Sequence, residues 1–351
     1  MSFLEVREPL ERWIASGRRA GVATLVGVRR TAPRPPGSRF AASEAGDVAG
    51  SISSGCVEAD LYERIREVVR TGAPRLVEYG ISDEQALEVG LSCGGEIEVL
   101  VAPYEPEAKV WPALAAALEA ERPAVLLTGV SEPIRARQVL LLAGGPSVGT
   151  LGEPALDAGA ADAARPLFEA GGARALCLPD EGAVVFAEAY LPSPRLAIVG
   201  ATPVAAALCH LARFVGFAVT VIDPRSALAV PERFPDARRV VARWPDAAFG
   251  EMPLDRDWSV VVLAHDPKID VPALAAALRA GCRYVGQIGG RRTQERRRAA
   301  LAGQGLTDAE IARVRGPVGL AIGAVTAEEI ALSIAADLVA ARRESLPSRD
   351  A

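Results

Sequence analysis

The sequence predicts an α/β protein of two domains, the second of which is built on a doubly wound parallel sheet. The chain has 351 residues and half of them are apolar, which is long for one domain and sufficient for two hydrophobic cores. The segment Leu191-Pro192-Ser193-Pro194 has the composition of a linker and lies just before an apolar strand. We therefore expect a first domain over residues 1–190, a second over residues 194–343 and a frayed polar tail over residues 344–351.

The second half of the chain is the more regular one. Short apolar strands alternate there with helical segments, in the order strand 195–199, helix 203–215, strands 218–222, 239–241 and 259–263, helix 271–280, strand 284–288 and helix 291–302. Alternation of this kind predicts a parallel sheet with helices on both faces. In such a sheet, ligands bind in the crevice at the carboxyl ends of the strands.

The first half predicts a mixed α/β or α+β unit without that regularity. Its expected helices are residues 5–16, a segment that starts at residue 57, and residues 111–121. Its expected strands are 23–29, 39–43, 75–79, 97–102, 124–130, 139–142 and 183–187, with short strands after residue 149.

Charge and composition exclude several classes of protein. The net charge is −5, so no overall positive field favours nucleic acid. The first residues are charged and amphipathic, and no apolar run reaches the roughly 18–20 residues that span a bilayer. The five cysteines are far apart and the chain has only two histidines, which disfavours a zinc site and favours reduced thiols. We expect a cytoplasmic protein that binds neither nucleic acid nor membrane.

A loop rich in serine and glycine precedes the second helix and carries one cysteine. Its candidate ligand-binding residues are Ser51, Ser53, Gly55, Cys56 and Glu58. The positive end of a helix dipole favours a cysteine thiolate, and free backbone N–H groups there suit an anion. The loop therefore suits an anionic, soft or electrophilic ligand. The alternative is a turn that caps the helix, with Cys56 as a small buried side chain.

A second glycine-rich element, residues 90–96, repeats this arrangement around Cys93, Gly94 and Gly95. Two cysteines in similar surroundings within one domain favour a site that both share. Neither histidine of the chain falls in this domain, so a Cys–His nucleophile pair cannot form within it. Contact with a ligand is therefore a better interpretation of these thiols than hydrolytic catalysis.

The first strand, turn and helix of the second domain stand where a dinucleotide-binding fingerprint would lie. Gly200 supplies the tight turn, and Asp223 ends the next strand near the roughly 20-residue spacing of a ribose ligand. Thr202 replaces the second glycine of G-x-G-x-x-G, and Pro203 removes an N–H group. The sequence therefore predicts Rossmann-like topology with an incomplete NAD(P) fingerprint.

A later strand of the same sheet ends in a second glycine turn that leads into a helix. Gly289 and Gly290 let the backbone approach an anion, and the guanidinium groups of Arg291 and Arg292 suit phosphate. The alternative is a solvated basic helix face, since arginines continue at residues 296–298, where we expect surface positions.

His265 and Asp266 end the strand at residues 259–263 and are expected to face the same crevice as Asp223 and Gly289. Their position at a strand end favours contact with a ligand. The alternative for His265 is a local hydrogen bond with no ligand involved.

Taken in order, these motifs resemble the XdhC/CoxI family of maturation factors for molybdenum hydroxylases such as xanthine dehydrogenase and carbon monoxide dehydrogenase. The resemblance extends over nearly the whole chain and rests on residues 30–37, 50–58, 92–96, 195–200, 265–266, 284–292, 317–320 and 326–331. The chain departs from the family pattern at Ser54, Ser92, Thr202, Pro203 and Pro267.

The resemblance implies a chaperone for molybdenum cofactor rather than an enzyme. Family members bind the molybdopterin cofactor, which in some members carries a cytidine nucleotide, and protect it from oxidation. They favour exchange of an oxo for a sulfido ligand with a cysteine desulfurase and insert the cofactor into the hydroxylase. The resemblance also implies that Cys56 and Cys93 lie at the cofactor molybdenum and that the second domain holds the nucleotide end. We further expect a homodimer.

The sequence is also compatible with two other functions. An NAD(P)-dependent oxidoreductase would use the Rossmann-like domain, with Gly200 and Asp223 at the cofactor. A ligand-free scaffold would bridge a desulfurase and a hydroxylase without holding the cofactor itself.

Overall fold

A computed structural model of the chain describes residues 2–53, 55, 57–80, 95–105, 108–178 and 182–344. Cys56, Cys93 and Gly94 therefore lie outside the described residues. The chain divides into two compact units, Met1–Pro192 and Ser193–Ala351. Within the described ranges, no helix combines the length and the apolar character needed to cross a bilayer.

The first unit begins with a five-stranded antiparallel sheet. The helices around it are α1 (Ser2–Ala15) and α2 (Glu58–Thr71), and its strands are β1 (Ala20–Arg29), β2 (Arg39–Ser43), β3 (Val48–Gly50), β4 (Arg75–Tyr79) and β5 (Glu96–Pro103). The strand order is β3-β2-β1-β5-β4. Helix α2 packs its apolar side on one face of β1 and β5, where Gly21 leaves room for Ile65: a Cβ at Gly21 would lie 2.9 Å from the Ile65 Cγ2 atom.

A second five-stranded antiparallel sheet completes this unit. Its helices are α3 (Val110–Glu119), α4 (Pro154–Ala164) and α5 (Leu167–Ala170), and its strands are β6 (Ala124–Gly129), β7 (Gln138–Leu142), β8 (Val148–Gly149), β9 (Ala173–Leu178) and β10 (Ala183–Tyr190). The order is β8-β7-β6-β10-β9. Helix α4 was not predicted, because its alanine-rich sequence has few large apolar residues whose spacing could indicate a helix.

The two sheets of the first unit face each other. Their facing sides share two apolar clusters, one of which also contains α1 and α3. A buried ion pair joins the sheets: Arg39 on β2 is 2% exposed and Glu188 on β10 is 4% exposed. Arg39 Nη1 donates to Glu188 Oε1 at 2.9 Å and to the Tyr190 hydroxyl at 3.2 Å.

The second unit is a six-stranded parallel sheet with helices on both faces. Its strands are β11 (Arg195–Val199), β12 (Ala218–Ile222), β13 (Arg239–Val241), β14 (Trp258–Val262), β15 (Tyr284–Gln287) and β16 (Val314–Arg315), in the order β13-β12-β11-β14-β15-β16. Its helices are α6 (Pro203–Phe214), α7 (Pro245–Glu251), α8 (Pro267–Arg279), α9 (Arg291–Gly303), α10 (Asp308–Ala312) and α11 (Ala327–Glu344).

The predicted fold class is confirmed. Helices α6 and α11 cover one face of the parallel sheet and α7 to α10 cover the other. All the strand pairs of this sheet are parallel. The direction of connection reverses between β11 and β14, which is the position where open α/β sheets bind their ligands. Helices α7 and α10 and the two-residue strand β16 were not predicted.

Candidate functional site

The carboxylate of Glu58 holds the serine–glycine loop of the first unit together. One oxygen accepts hydrogen bonds from the Ser51 hydroxyl at 2.7 Å, the Ile52 N–H at 2.9 Å and the Ser53 N–H at 2.8 Å. The other accepts from the Ser53 hydroxyl at 2.6 Å and the Gly55 N–H at 2.9 Å. The Ser53 hydroxyl also accepts from the N–H of Val57 at 3.0 Å. The residues on both sides of Cys56 in the sequence are thus each fixed by a hydrogen bond.

This arrangement changes the role expected of the loop. The prediction that its backbone N–H groups are free to receive an anion is wrong for Ile52, Ser53 and Gly55, whose N–H groups are bound to Glu58. Helix α2 starts after Val57, which provides no side-chain cap. The polar atoms of Ser51, Ser53 and Glu58 are engaged within the loop, so these side chains position it.

The hydrogen bonds to Glu58 also determine its charge. Burial disfavours the ionised carboxylate, but the bonds from Ser53, Ser51 and Ile52 outweigh it and lower the pKa of Glu58 to about 2. Because this pKa lies below that of an unfolded glutamate, the carboxylate contributes stability that is complete above about pH 4.5 and is lost as the pH falls towards 2.

We expect Glu58→Gln to destabilise the first unit by about 1–3 kcal/mol at pH 7, because an amide cannot accept from all five donors with the strength of a charged group. The difference between variant and wild type is expected to shrink between pH 5 and pH 3, since the unfolded wild type takes up a proton at Glu58 there while the folded protein keeps the carboxylate ionised. Chemical denaturation at both pH values measures this. Glu63→Gln on the exposed side of α2 is the control, and equal effects of the two changes at pH 7 would refute the role of Glu58.

Gly95, at the end of the second glycine–cysteine element, lies against the proline-rich segment. A Cβ at this position would lie 1.7 Å from the carbonyl oxygen of Thr31, so no other residue fits without movement of the backbone. Thr31 follows Arg30, whose φ of +66° is rare for a residue with a side chain. Two of the segments that carry the family resemblance are therefore in direct backbone contact.

Strand register places Gly50, where the serine–glycine loop begins, and Gly95 towards one end of the first sheet. Strand β3 runs in the same direction as β1, since each is antiparallel to β2, and the chain leaves β3 at Gly50 towards the end where β1 finishes. Arg29, the last residue of β1, pairs with Glu96, the first residue of β5. The serine–glycine loop and Gly95 therefore meet the sheet at the same end. Cys56, Cys93 and Gly94 themselves stay predictions, because they lie outside the described residues.

In the second unit, Gly200 and the end of β14 meet at the switch point of the sheet. Gly200 has φ of +111°, and a Cβ there would lie 2.6 Å from the backbone nitrogen of Ala264. Thr202 is the N-cap of α6, and its hydroxyl accepts from the Ala205 N–H at 3.2 Å. The threonine that departs from the dinucleotide fingerprint thus caps the helix.

Asp223 lies at the end of β12, as predicted, but its carboxylate is fully engaged. It is completely buried and accepts from the Ala201 N–H at 2.7 Å, the Arg225 N–H at 2.9 Å and two guanidinium nitrogens of Arg225 at 2.9 and 2.6 Å. A carboxylate offers about four acceptor positions, so these bonds leave none for a ribose hydroxyl. The nicotinamide-dependent alternative gains no support from this residue.

His265 and Asp266, which follow β14, differ in whether their side chains are hydrogen-bonded. His265 is exposed and has φ of +62°, and among the described residues its ring makes no hydrogen bond, although it interacts electrostatically with Asp270. Asp266 is the N-cap of α8 and accepts from the Lys268 N–H at 2.9 Å. Of the pair predicted to contact a ligand, His265 is therefore the one whose ring nitrogens have no hydrogen-bond partner among the described residues.

The turn after β15 opens towards solvent. Gly289 has φ of +122°, and Gly290 precedes α9 with open space where a Cβ would lie. Arg291 and Arg292 are exposed, and within the described ranges neither side chain is hydrogen-bonded or ion-paired. That these four residues contact a phosphate stays a prediction.

The prediction that all three later arginines of α9 lie on the surface is wrong for Arg297. Its side chain is 4% exposed and forms an ion pair with Asp270 of α8, which is fully buried. Arg297 also donates to the carbonyl of Ile288 at 2.5 Å. Burial raises the pKa of Asp270, and Arg297 opposes that shift. The pair therefore fixes the turn that presents Gly289 and Gly290.

Three cysteines lie within the described residues. Cys209 and Cys282 are buried, which raises the pKa of each thiol to about 11 and makes both poor ligands at neutral pH. Cys177 is exposed on β9. Among the described residues no three side chains of histidine, cysteine, aspartate or glutamate come together as a metal site.

Comparison with known proteins shows which family the chain resembles. A model described as "XdhC and CoxI family" matches residues 13–80, and one described as "XdhC Rossmann domain" matches residues 196–338. The chain is 27% identical over 339 residues to a protein of Bacillus subtilis described as a probable subunit of xanthine dehydrogenase, across 95% of this chain and 96% of that protein.

Two further relatives match over most of their length. The chain is 26% identical over 336 residues to the "Molybdenum cofactor insertion chaperone PaoD" of Escherichia coli, across 94% of this chain and 85% of that protein. A crystal structure described as a xanthine dehydrogenase from Bacillus halodurans is similar with a TM-score of 0.77 and 26% identity, across 100% of this chain and 98% of that one. Since two models of one family match successive parts of the chain and these relatives match nearly all of it, the chain belongs to the XdhC and CoxI family.

Proposed function

We propose that this protein binds molybdenum cofactor and inserts it into a molybdenum hydroxylase. The observation that carries the proposal is the placement of Gly50, where the serine–glycine loop begins, and of Gly95 towards one end of the first sheet, together with the similarity to an insertion chaperone. A cofactor with a molybdenum–dithiolene centre is soft and anionic, and thiolates are the protein ligands that suit a soft metal. The cofactor is here the cargo of the protein.

In this proposal the thiols of Cys56 and Cys93 contact the cofactor, and the rest of the serine–glycine loop positions Cys56. Ser51, Ser53, Gly55 and Glu58 are bound to one another, which fixes the loop before any ligand arrives. A fixed loop loses little conformational freedom on binding, and this favours affinity. Gly95 supports the second loop through its contact with Thr31.

The second unit would hold a nucleotide where the cofactor carries one. Gly290 leaves room for a phosphate, and Arg291 and Arg292, which are unpaired within the described part of the chain, supply positive charge beside it. The proposal includes a cysteine desulfurase as the source of the sulfido ligand, a homodimeric state and a cytoplasmic location.

The test at the level of the site is cofactor content after anaerobic co-expression with the enzymes of cofactor synthesis. Wild-type protein is expected to purify with molybdenum and pterin in equal amounts. Cys56→Ala and Cys93→Ala are each expected to lower that content at least about tenfold, because each removes a thiolate contact. Metal analysis and pterin fluorescence provide the two readouts.

Cys177→Ala is the matched control, since Cys177 is an exposed thiol of the same unit on a different strand. It is expected to retain the wild-type content. Wild-type amounts of molybdenum and pterin in both Cys56→Ala and Cys93→Ala would overturn the assignment of these thiols.

A further inference from the structure

The two sheets of the first unit part around a cleft of about 440 Å³. This volume is within the range of pockets that hold small molecules. The cleft is lined at one end by Gly72 and Pro74, which follow α2, whereas the serine–glycine loop precedes that helix. Helix α2 has 14 residues and is about 21 Å long, so that end of the cleft and the serine–glycine loop lie at opposite ends of the helix. The cleft is therefore a different place from the proposed cofactor site.

The floor of the cleft is apolar. Val26, Leu100 and Phe186 line it and also form one buried cluster between the two sheets. The wall adds aromatic surface from Tyr104 and Trp111, whose ring centroids are 5.4 Å apart. Such a lining favours a flat, largely apolar ligand body, because aromatic faces stack on one another and exclude water.

The charged groups of the lining are predominantly positive. Arg39 and Arg135 have acidic partners, Glu188 and Glu132, and are thereby balanced within the protein. Lys109 and Arg137 also line the cleft, and neither forms an ion pair within the described part of the chain.

Two uncompensated cations stand out in a chain whose net charge is −5. Within the ranges that the structure describes, the Arg137 side chain donates one long hydrogen bond, at 3.4 Å, to the carbonyl of Leu151. Its guanidinium is therefore available to a ligand. Glu105 is the one carboxylate among the lining residues that the structure describes, and it is exposed. A positive rim above an apolar floor selects for a ligand that carries negative charge.

Polar side chains between floor and rim complete the lining. Thr24, Thr128 and Gln138 project into the cleft, and the Gln138 side chain donates to the Thr128 hydroxyl at 3.3 Å. Hydroxyl and amide groups of this kind orient a ligand through a few directed hydrogen bonds.

We propose that this cleft is a binding site for a small aromatic acid. The flat ring of the ligand packs on the exposed parts of Tyr104 and Trp111, and its carboxylate or phosphate is directed to Lys109 and Arg137. This site is independent of the cofactor-binding proposal, since it shares none of the residues assigned there.

The test is calorimetric titration of the full chain with 2-naphthoate and with the uncharged amide of the same ring, 2-naphthamide. Naphthoate is expected to bind saturably and about tenfold more tightly than the amide, because only the acid meets the positive rim. Arg137→Glu is expected to remove that preference. Arg165→Glu, an exposed arginine of the same unit outside the cleft, is expected to keep it.

Equal affinities for acid and amide would overturn the proposal, as would an absence of saturable binding by naphthoate or equal losses in Arg137→Glu and Arg165→Glu. If Arg137→Glu does not fold, Lys109→Glu serves in its place, since Lys109 is exposed and unpaired among the described residues.

Discussion

Arg39→Met is expected to destabilise the first unit by about 3–5 kcal/mol, because it leaves the Glu188 carboxylate buried without a counter-charge. Both side chains are less than 5% exposed, so solvent cannot take the place of the lost partner. The Tyr190 hydroxyl, which also accepts from Arg39, would lose the same donor. Chemical denaturation followed by circular dichroism measures the change.

The double variant Arg39→Met/Glu188→Leu tests whether the unpaired Glu188 charge causes the loss of stability in Arg39→Met. Since it removes both charges, it is expected to recover most of the lost stability, as apolar replacements of buried ion pairs often do. Arg29→Met is the control: Arg29 pairs with Glu98 on the surface, and its loss is expected to cost about 1 kcal/mol or less. If Arg39→Met also lowers the free energy of unfolding by only about 1 kcal/mol or less, the interface between the two sheets does not depend on this ion pair.

Arg297→Met is expected to have a comparable effect on the second unit, about 3–5 kcal/mol, since Asp270 would be left ionised or forced to take up a proton. The Ile288 carbonyl also loses its donor, so the turn at Gly289 and Gly290 is expected to become mobile. Amide hydrogen exchange of that turn is the second readout, because general destabilisation alone would not single it out.

Arg298→Met is the matched control for that experiment. Arg298 is the next residue of the same helix and is exposed, so its replacement is expected to change stability by no more than about 0.5 kcal/mol. If Arg297→Met and Arg298→Met behave alike, the buried pair does not support the turn.

The fold class could be predicted because the elements of the second unit are regular. Strands such as β11 and β12 are short apolar runs that end in Gly200 and Asp223, and each alternates with a helix. The prediction failed where the pattern was weak. The alanines of α4 give no apolar stripe, and the two-residue strand β16 is too short to produce one.

The candidate site was predictable in its residues but not in their contacts. Glu58 lies only five residues after Ser53, yet sequence spacing does not show that its carboxylate gathers the whole loop. Arg297 stands within a run of arginines, where only the packing of α8 against α9 distinguishes the buried one. Arg39 lies in a strand that is buried on both faces, so alternation could not indicate which face holds a charge.

The first unit has two regions of different chemistry beside its first sheet. One end carries the serine–glycine loop and Gly95, with a backbone contact that only glycine permits. The cleft lies against the side of β1 and β5 that faces the second sheet, with an apolar floor and a positive rim. The cleft shares no residue with the serine–glycine loop or Gly95, so a ligand in one region would not compete for the same side chains as a ligand in the other.

Transfer of cofactor is the measurement that tests the central proposal most directly. Protein loaded with molybdenum cofactor is mixed anaerobically with a cofactor-free molybdenum hydroxylase, the two are separated, and the molybdenum content of each and the activity of the hydroxylase are determined. The proposal predicts that molybdenum leaves this protein and appears in the hydroxylase together with activity. Molybdenum that stays with this protein, with activity restored equally well by free cofactor, would contradict it.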